Sequence, residues 1–205
     1  AMTGTIATRF IGINVAAGTT TALNTIQNNT ISNITLNTSS GASTTNGVIC
    51  GINLTAGSAN INGNTVGSTS GINSIVAVPT TAGGVVVGVH SSSTGAVTIQ
   101  NNFIGSLSSS GVTAAVSGGI LAINVSGIAS PLAIINNTIG NATTNNLRGG
   151  TSGLTTGSSA VAGITLATSP AGTISISGNT IQNLSSYGSG ATGYVRGIQT
   201  TAVTG

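Results

Sequence analysis

Short segments of this chain alternate apolar and polar side chains. Ala96-Val97-Thr98-Ile99-Gln100 and Thr173-Ile174-Ser175-Ile176-Ser177 do so with a period of two, which places one set on each face of an extended strand. Their Val, Ile and Thr content suits a pleated, half-buried surface. Clusters of small polar residues, Ser91-Ser92-Ser93-Thr94-Gly95 and Ser106 to Gly111, interrupt the alternation and predict turns. Apolar stretches at Ile72 to Val78 and Val112 to Val116 predict a third strand in several repeats. No charged i,i+4 pairs and no windows rich in strong helix formers occur, so no helix is predicted.

The strand segments recur, and the recurrence organises the chain. One module, apolar-x-Gly-apolar, occurs as Phe10-Ile11-Gly12-Ile13, Ile49-Cys50-Gly51-Ile52, Val86-Val87-Gly88-Val89, Val161-Ala162-Gly163-Ile164 and Val195-Arg196-Gly197-Ile198. Ala122 takes the glycine's place before Ile123. From position 12 through 51, 88, 122, 163 and 197 the steps are 39, 37, 34, 41 and 34. A second module follows each of the first five, as Asn29-Thr30-Ile31, Asn64-Thr65-Val66, Asn102-Phe103-Ile104, Asn137-Thr138-Ile139 and Asn179-Thr180-Ile181, with steps of 35, 38, 35 and 42. Two markers keep one irregular period. Three strands and three turns per repeat fit one coil of a parallel β-helix, in five to six coils of 34–42 residues. A right-handed coil is expected from the handedness of parallel crossovers. Residues 1–205 form one solenoid segment. A single coil buries too little apolar surface to offset its ordering entropy, so neighbouring coils must supply hydrogen bonds and core. Neither end carries a polar cap, which predicts a slice of a longer array or a subunit that stacks end to end.

Composition narrows the function. The chain has no Asp or Glu, and 1% of its residues are charged, against about 25% in an ordinary soluble domain. The +3 formal charge comes from Arg9, Arg148 and Arg196, too scattered for a nucleic-acid footprint. Phe10, Phe103, Tyr187 and Tyr194 are the only aromatics, too few for a base-stacking platform. No apolar run reaches the ~18 residues of a membrane span. Glycosidic cleavage by paired carboxylates and calcium binding by acidic ligands both lack their side chains. No cofactor, metal or catalytic residue is assigned.

A few residues invite chemistry. His90 could pair with Ser91, Ser92 or Ser93, but a triad would lack its orienting acid; a polar side chain near a strand end is the simpler reading. One histidine and one cysteine make no zinc site. Cys50 occupies a position that also takes Arg196, which predicts an outward-facing thiol, either reduced or available to crosslink chains. The run Gly188-Ser189-Gly190-Ala191-Thr192-Gly193 matches a dinucleotide-loop pattern, but Tyr194-Val195-Arg196-Gly197-Ile198 reads as a strand where that loop needs a helix. Eight Asn-x-Ser/Thr sequons, at Asn28, Asn33, Asn37, Asn53, Asn124, Asn136, Asn141 and Asn183, are expected by chance in so Asn-, Ser- and Thr-rich a chain. Asn29, Asn64, Asn102, Asn137 and Asn179 are equivalent by repeat. Stacked coils would place them one above another as a hydrogen-bonded ladder, with a carbohydrate-binding row as the lesser alternative. Gly12, Gly51, Gly88, Gly163 and Gly197 are assigned to coil turns.

The Asn-Asn-Thr-Ile motif of Ile26-Gln27-Asn28-Asn29-Thr30-Ile31 and Ile134-Ile135-Asn136-Asn137-Thr138-Ile139 resembles right-handed parallel β-helix repeats. Together with Gly190-Ala191-Thr192-Gly193-Tyr194-Val195-Arg196-Gly197-Ile198 it is similar to the long β-strand-repeat surface proteins of Bacteroidota. That resemblance implies an extracellular or cell-surface location, type IX secretion, and a filament or adhesin, including the gliding type. Partners are then adjacent repeats or identical subunits, surface glycans or secretion machinery. The leading expectation is a structural or adhesive stalk without enzymatic activity. A glycan- or ice-binding module is the alternative, although an irregular period does not suit an ice lattice, and a carbohydrate-active β-helix enzyme comes third.

Overall fold

In a computed structural model the described residues are 8–18, 22–39, 45–80, 84–110, 118–152, 159–166, 172–188 and 193–200. Their regular structure is all strand, in four parallel sheets. The first sheet holds β1 (Phe10–Ala16), β5 (Ile49–Ala56), β9 (Val85–Ser91), β13 (Gly119–Val125), β17 (Ala160–Leu166) and β21 (Tyr194–Thr200). The second holds β2 (Leu23–Gln27), β6 (Ser58–Asn62), β10 (Val97–Gln100), β14 (Leu132–Ile135) and β18 (Ile174–Ser177). The third holds β3 (Thr30–Ile31), β7 (Thr65–Gly67), β11 (Phe103–Gly105), β15 (Thr138–Ile139) and β19 (Thr180–Ile181). The fourth holds β4 (Ile34–Thr38), β8 (Ile75–Pro79), β12 (Leu107–Ser109), β16 (Leu147–Gly149) and β20 (Leu184–Ser186). Each strand pairs with its equivalent one repeat away, which is a parallel β-solenoid.

Three details correct the sequence reading. A coil contains four short strands, not three. The extra corner comes from a residue with positive φ just before each ladder asparagine: Asn28, Gly63, Asn101, Asn136 and Gly178. This left-handed conformation suits Asn and Gly and splits one predicted strand into two. Ser106 to Gly111 is not wholly a turn, because Leu107–Ser109 is strand β12. Only the first sheet reaches six strands, so the stack closes fewer full turns than six coils would give. Val112 to Val116 and most of the glycine-rich run, 189–192, lie outside the described residues.

Like apolar residues stack in register. Ile26, Ile61, Ile99, Ile134 and Ile176 form one column. Ile31, Val66, Ile104, Ile139 and Ile181 form a second, and Ile34, Ile75, Leu107, Leu147 and Leu184 a third. These columns belong to or pack against one hydrophobic core. Burying each such side chain contributes roughly 1.5–3 kcal/mol.

The repeated glycines lie inside β1, β5, β9, β17 and β21 rather than at coil turns. At Gly12, Gly51, Gly88 and Gly163 the role is close approach, to the next coil's backbone carbonyl, 2.5–2.7 Å from where a Cβ would stand, and to the third sheet, whereas at Gly197 nothing lies within 4 Å. A Cβ on Gly12 would sit 3.1 Å from Ile31, on Gly51 2.6 Å from Val66, on Gly88 2.5 Å from Ile104, and on Gly163 2.8 Å from Ile181. The two sequence modules are therefore the two sides of one contact: the glycine of the first sheet makes room for the aliphatic side chain of the third. Gly88→Val should consequently overpack the core and destabilise the chain by about 2–3 kcal/mol, read as a lower urea midpoint at unchanged slope. Gly18→Ala, where nothing lies within 4 Å of the new Cβ, should change stability by less than about 0.5 kcal/mol.

Candidate functional site: polar columns between coils

At the corner between the second and third sheets, Asn29, Asn64, Asn102, Asn137 and Asn179 form a continuous column. Asn64 and Asn102 illustrate the repeating unit. The backbone N–H and Nδ2 of Asn64 both donate to Asn102 Oδ1, at 2.9 and 3.0 Å, and Asn102 Nδ2 donates to the Ile61 carbonyl at 2.9 Å. The same pattern joins Asn29 to Asn64, Asn102 to Asn137 and Asn137 to Asn179. Asn64, Asn102 and Asn137 are buried. The left-handed corner breaks the regular sheet ladder, and each asparagine amide takes up backbone groups freed there.

A second column stands at the next corner and was not anticipated from sequence. Ser74 Oγ accepts from the Asn33 N–H, Ser106 Oγ from the Ser74 N–H, and Asn146 Oδ1 from the Ser106 N–H, at 3.1, 3.1 and 2.8 Å. Ser74, Ser106 and Asn146 are buried. The chemistry matches the first column, but residue type varies and the preceding loops differ in length. The available signal was a polar residue directly before Ile75, Leu107 and Leu147.

A third row runs along the first sheet. Asn14, Asn53, His90, Asn124, Thr165 and Gln199 are in register across six strands. Asn53 Nδ2 donates to Asn14 Oδ1 at 2.7 Å. His90 is 2% exposed, with Nδ1 2.6 Å from Asn53 Oδ1 and Nε2 2.8 Å from Ser126 Oγ. Its partner is therefore Ser126, from the next coil, and not Ser91, Ser92 or Ser93. Burial lowers the His90 pKa to about 4, because a charged imidazole would lose its hydration. Asn124 Oδ1, Thr165 Oγ1 and Gln199 Oε1, further along the row, are buried without a hydrogen-bond partner.

Cys50 does not face solvent. It is 0% exposed, and burial pushes its thiol up to about 12, which keeps it protonated and a poor nucleophile. The reason is a segment laid against this row: Asn124 Nδ2 donates to the Thr45 carbonyl at 2.6 Å, Arg9 Nε donates to the Gly47 carbonyl at 3.0 Å, and Gly47 abuts Val87. Crosslinking through Cys50 would require this cover to open. Arg196, in β21, is exposed and its guanidinium lies 4.2 Å from the Tyr194 ring centre. Arg148 reaches Asn73. The three arginines do not gather.

Among the described residues no three His, Cys, Asp or Glu side chains group as metal ligands, and no helix is long and apolar enough to cross a membrane. No protein-family model matches the sequence, and neither the curated proteins nor the solved structures yield a match.

Two outcomes follow from the columns. Asn102→Ala should leave the N–H and Nδ2 of Asn64 facing an apolar methyl group, at a cost of about 2–4 kcal/mol, whereas Asn29→Ala, at a half-exposed end, should cost under about 1 kcal/mol; denaturant titration distinguishes them. His90 should make the chain acid-sensitive. Above its ordinary pKa of 6.5 folded and unfolded chains are both neutral there, so stability is level. Below 6.5 the unfolded chain takes up a proton that the folded chain refuses until about pH 4. Stability should fall through that window by roughly 3 kcal/mol and level off beneath it. With no Asp or Glu in the chain, His90→Asn should abolish the slope in thermal melts taken across pH.

Proposed function

We propose that this chain is a segment of a structural or adhesive β-solenoid stalk, extracellular and non-enzymatic. The observation that carries the reading is the unbroken inter-coil bonding. Four parallel sheets and buried asparagine and serine columns tie each coil to the next, so axial load is shared along the whole stack. A spacing of about 4.8 Å per coil makes the first sheet's six strands about 24 Å long, and added repeats would extend the rod without altering its section. The near absence of charge suits coils that stack on copies of themselves, since like charges in register would repel. The resemblance to long Bacteroidota surface repeats supports a cell-surface location, type IX export and a gliding-type adhesin, with adjacent repeats or identical subunits as stacking partners.

A second reading, a glycan-binding module, has one specific observation in its favour. Thr30, Thr65, Phe103, Thr138 and Thr180 stand in register along the third sheet and are all at least partly exposed. Hydroxyls beside an aromatic face suit a neutral sugar. Electron microscopy of the full-length protein should show a thin rod that lengthens with repeat number. A compact globule would contradict the stalk, and selective retention of a neutral glycan on that face would favour the second reading.

A further inference from the structure

We propose that Ser126 is an activated hydroxyl that accepts acyl groups from reactive esters, with His90 as its base and Asn53 holding the imidazole. The three residues come from successive coils, one repeat period apart in sequence, and stacking in register brings them together. Ser126 Oγ lies 2.8 Å from His90 Nε2, and His90 Nδ1 lies 2.6 Å from Asn53 Oδ1. The proton positions follow from the chain of bonds. Asn53 commits Nδ2 to Asn14 Oδ1, so its Oδ1 accepts, and His90 must carry its hydrogen on Nδ1. The Nε2 lone pair then points at the Ser126 hydroxyl. This is the relation of nucleophile, base and orienting group, with an amide in the orienting place, as in cysteine proteases.

No other serine can share this device, because His90 is the chain's one histidine. Ser92, Ser93 and Ser109 donate their hydroxyl protons to the carbonyls of Thr55, Gly57 and Gly84, which are not bases. Ser126 is half-buried, at the edge of the covered row.

The step balances without a further reactant. Ser126 Oγ bonds to the acyl carbon, its proton passes to His90 Nε2, the bond from acyl carbon to leaving oxygen breaks, and the departing phenolate takes the proton from His90. The surroundings limit the chemistry to that step. The backbone N–H groups of Ser126 and Gly127 both donate to the Ser91 carbonyl and are not set to hold an oxyanion. The site therefore takes acyl groups from esters with good leaving groups and keeps them, giving stoichiometric modification without rapid turnover. This inference stands independently of the stalk reading.

Among the described residues the titratable group beside His90 is Cys50 on β5, protonated up to about pH 12, with Arg9 acting on Cys50 rather than on His90; β13 contributes the neutral Asn124, and Ser126 directly follows that strand. His90 is therefore neutral, and able to act as a base, down to about pH 4.

The test is to incubate the full chain with p-nitrophenyl acetate and map acetylation by peptide mass spectrometry. The absence of lysine removes the usual competing side chain. The expected result is one acetyl group, on Ser126, formed about a hundredfold faster than on any other serine. Ser126→Ala should lose it, and His90→Asn should slow it by about that factor while keeping the β-sheet circular dichroism. If His90→Asn does not fold, the pH profile of the unaltered chain decides. Labelling should stay level down to about pH 5 and fall as His90 protonates. Scattered labelling, no adduct on Ser126, a His90→Asn rate equal to the parent, or a rate that climbs with hydroxide concentration would each overturn the proposal.

Discussion

At each left-handed corner a coil turns too sharply for its backbone to keep the regular sheet ladder, and the groups released there are buried. The side-chain amide oxygens of Asn64, Asn102 and Asn137 each accept the freed N–H of the neighbouring coil, and Asn64 Nδ2 also reaches the Asn62 carbonyl of its own coil. A buried N–H or C=O left without a partner costs about 1–3 kcal/mol. The corner is therefore tolerable only when another corner lies above or below it. This requirement couples local chain direction to stacking, and the four parallel sheets follow from it. The Ser74, Ser106 and Asn146 column repeats the solution one corner further on, so two edges of the solenoid are bonded in the same way.

Most of the fold was legible because two markers, Gly-Ile and Asn-x-Ile, share one drifting period. Their meaning was less so. Gly51 and Gly88 look like turn residues by type, yet they lie in strands and clear space for Val66 and Ile104. That contact joins two sheets, and no local pattern reports it. The three-strand coil failed for a related reason: Asn and Gly at positions 28, 63, 101, 136 and 178 adopt positive φ, and a single such residue is enough to split a strand. Cys50 was misplaced because Arg196 shares its row, yet Arg196 stands in an exposed strand and Cys50 beneath the segment at Thr45–Gly47. Repeat equivalence predicts register. It does not predict what covers a given coil.

The polar columns also differ in how complete they are. The asparagine ladder is satisfied along its length. The row through Asn53, His90 and Asn124 is not: it begins with a chain of hydrogen bonds and ends in acceptors without partners. Structural columns in repeat proteins tend toward identical residues, because each neighbour sets the same demand. A row that instead takes up the chain's one histidine, and joins it to a serine on the adjacent coil, departs from that tendency. The contrast separates what holds the stack together from what could give one stretch of it, where neighbouring coils meet, its own chemistry.

Native-state hydrogen exchange at the backbone amides of Asn64, Asn102 and Asn137 tests the central claim most directly. These N–H groups sit at corners, where a solvent-exposed turn would exchange quickly, but here each donates to a side chain of the next coil. The account predicts protection equal to that of mid-strand amides such as Ile99, released only with unfolding of the stack. Exchange as fast as at Thr94, in the loop between β9 and β10, would contradict it.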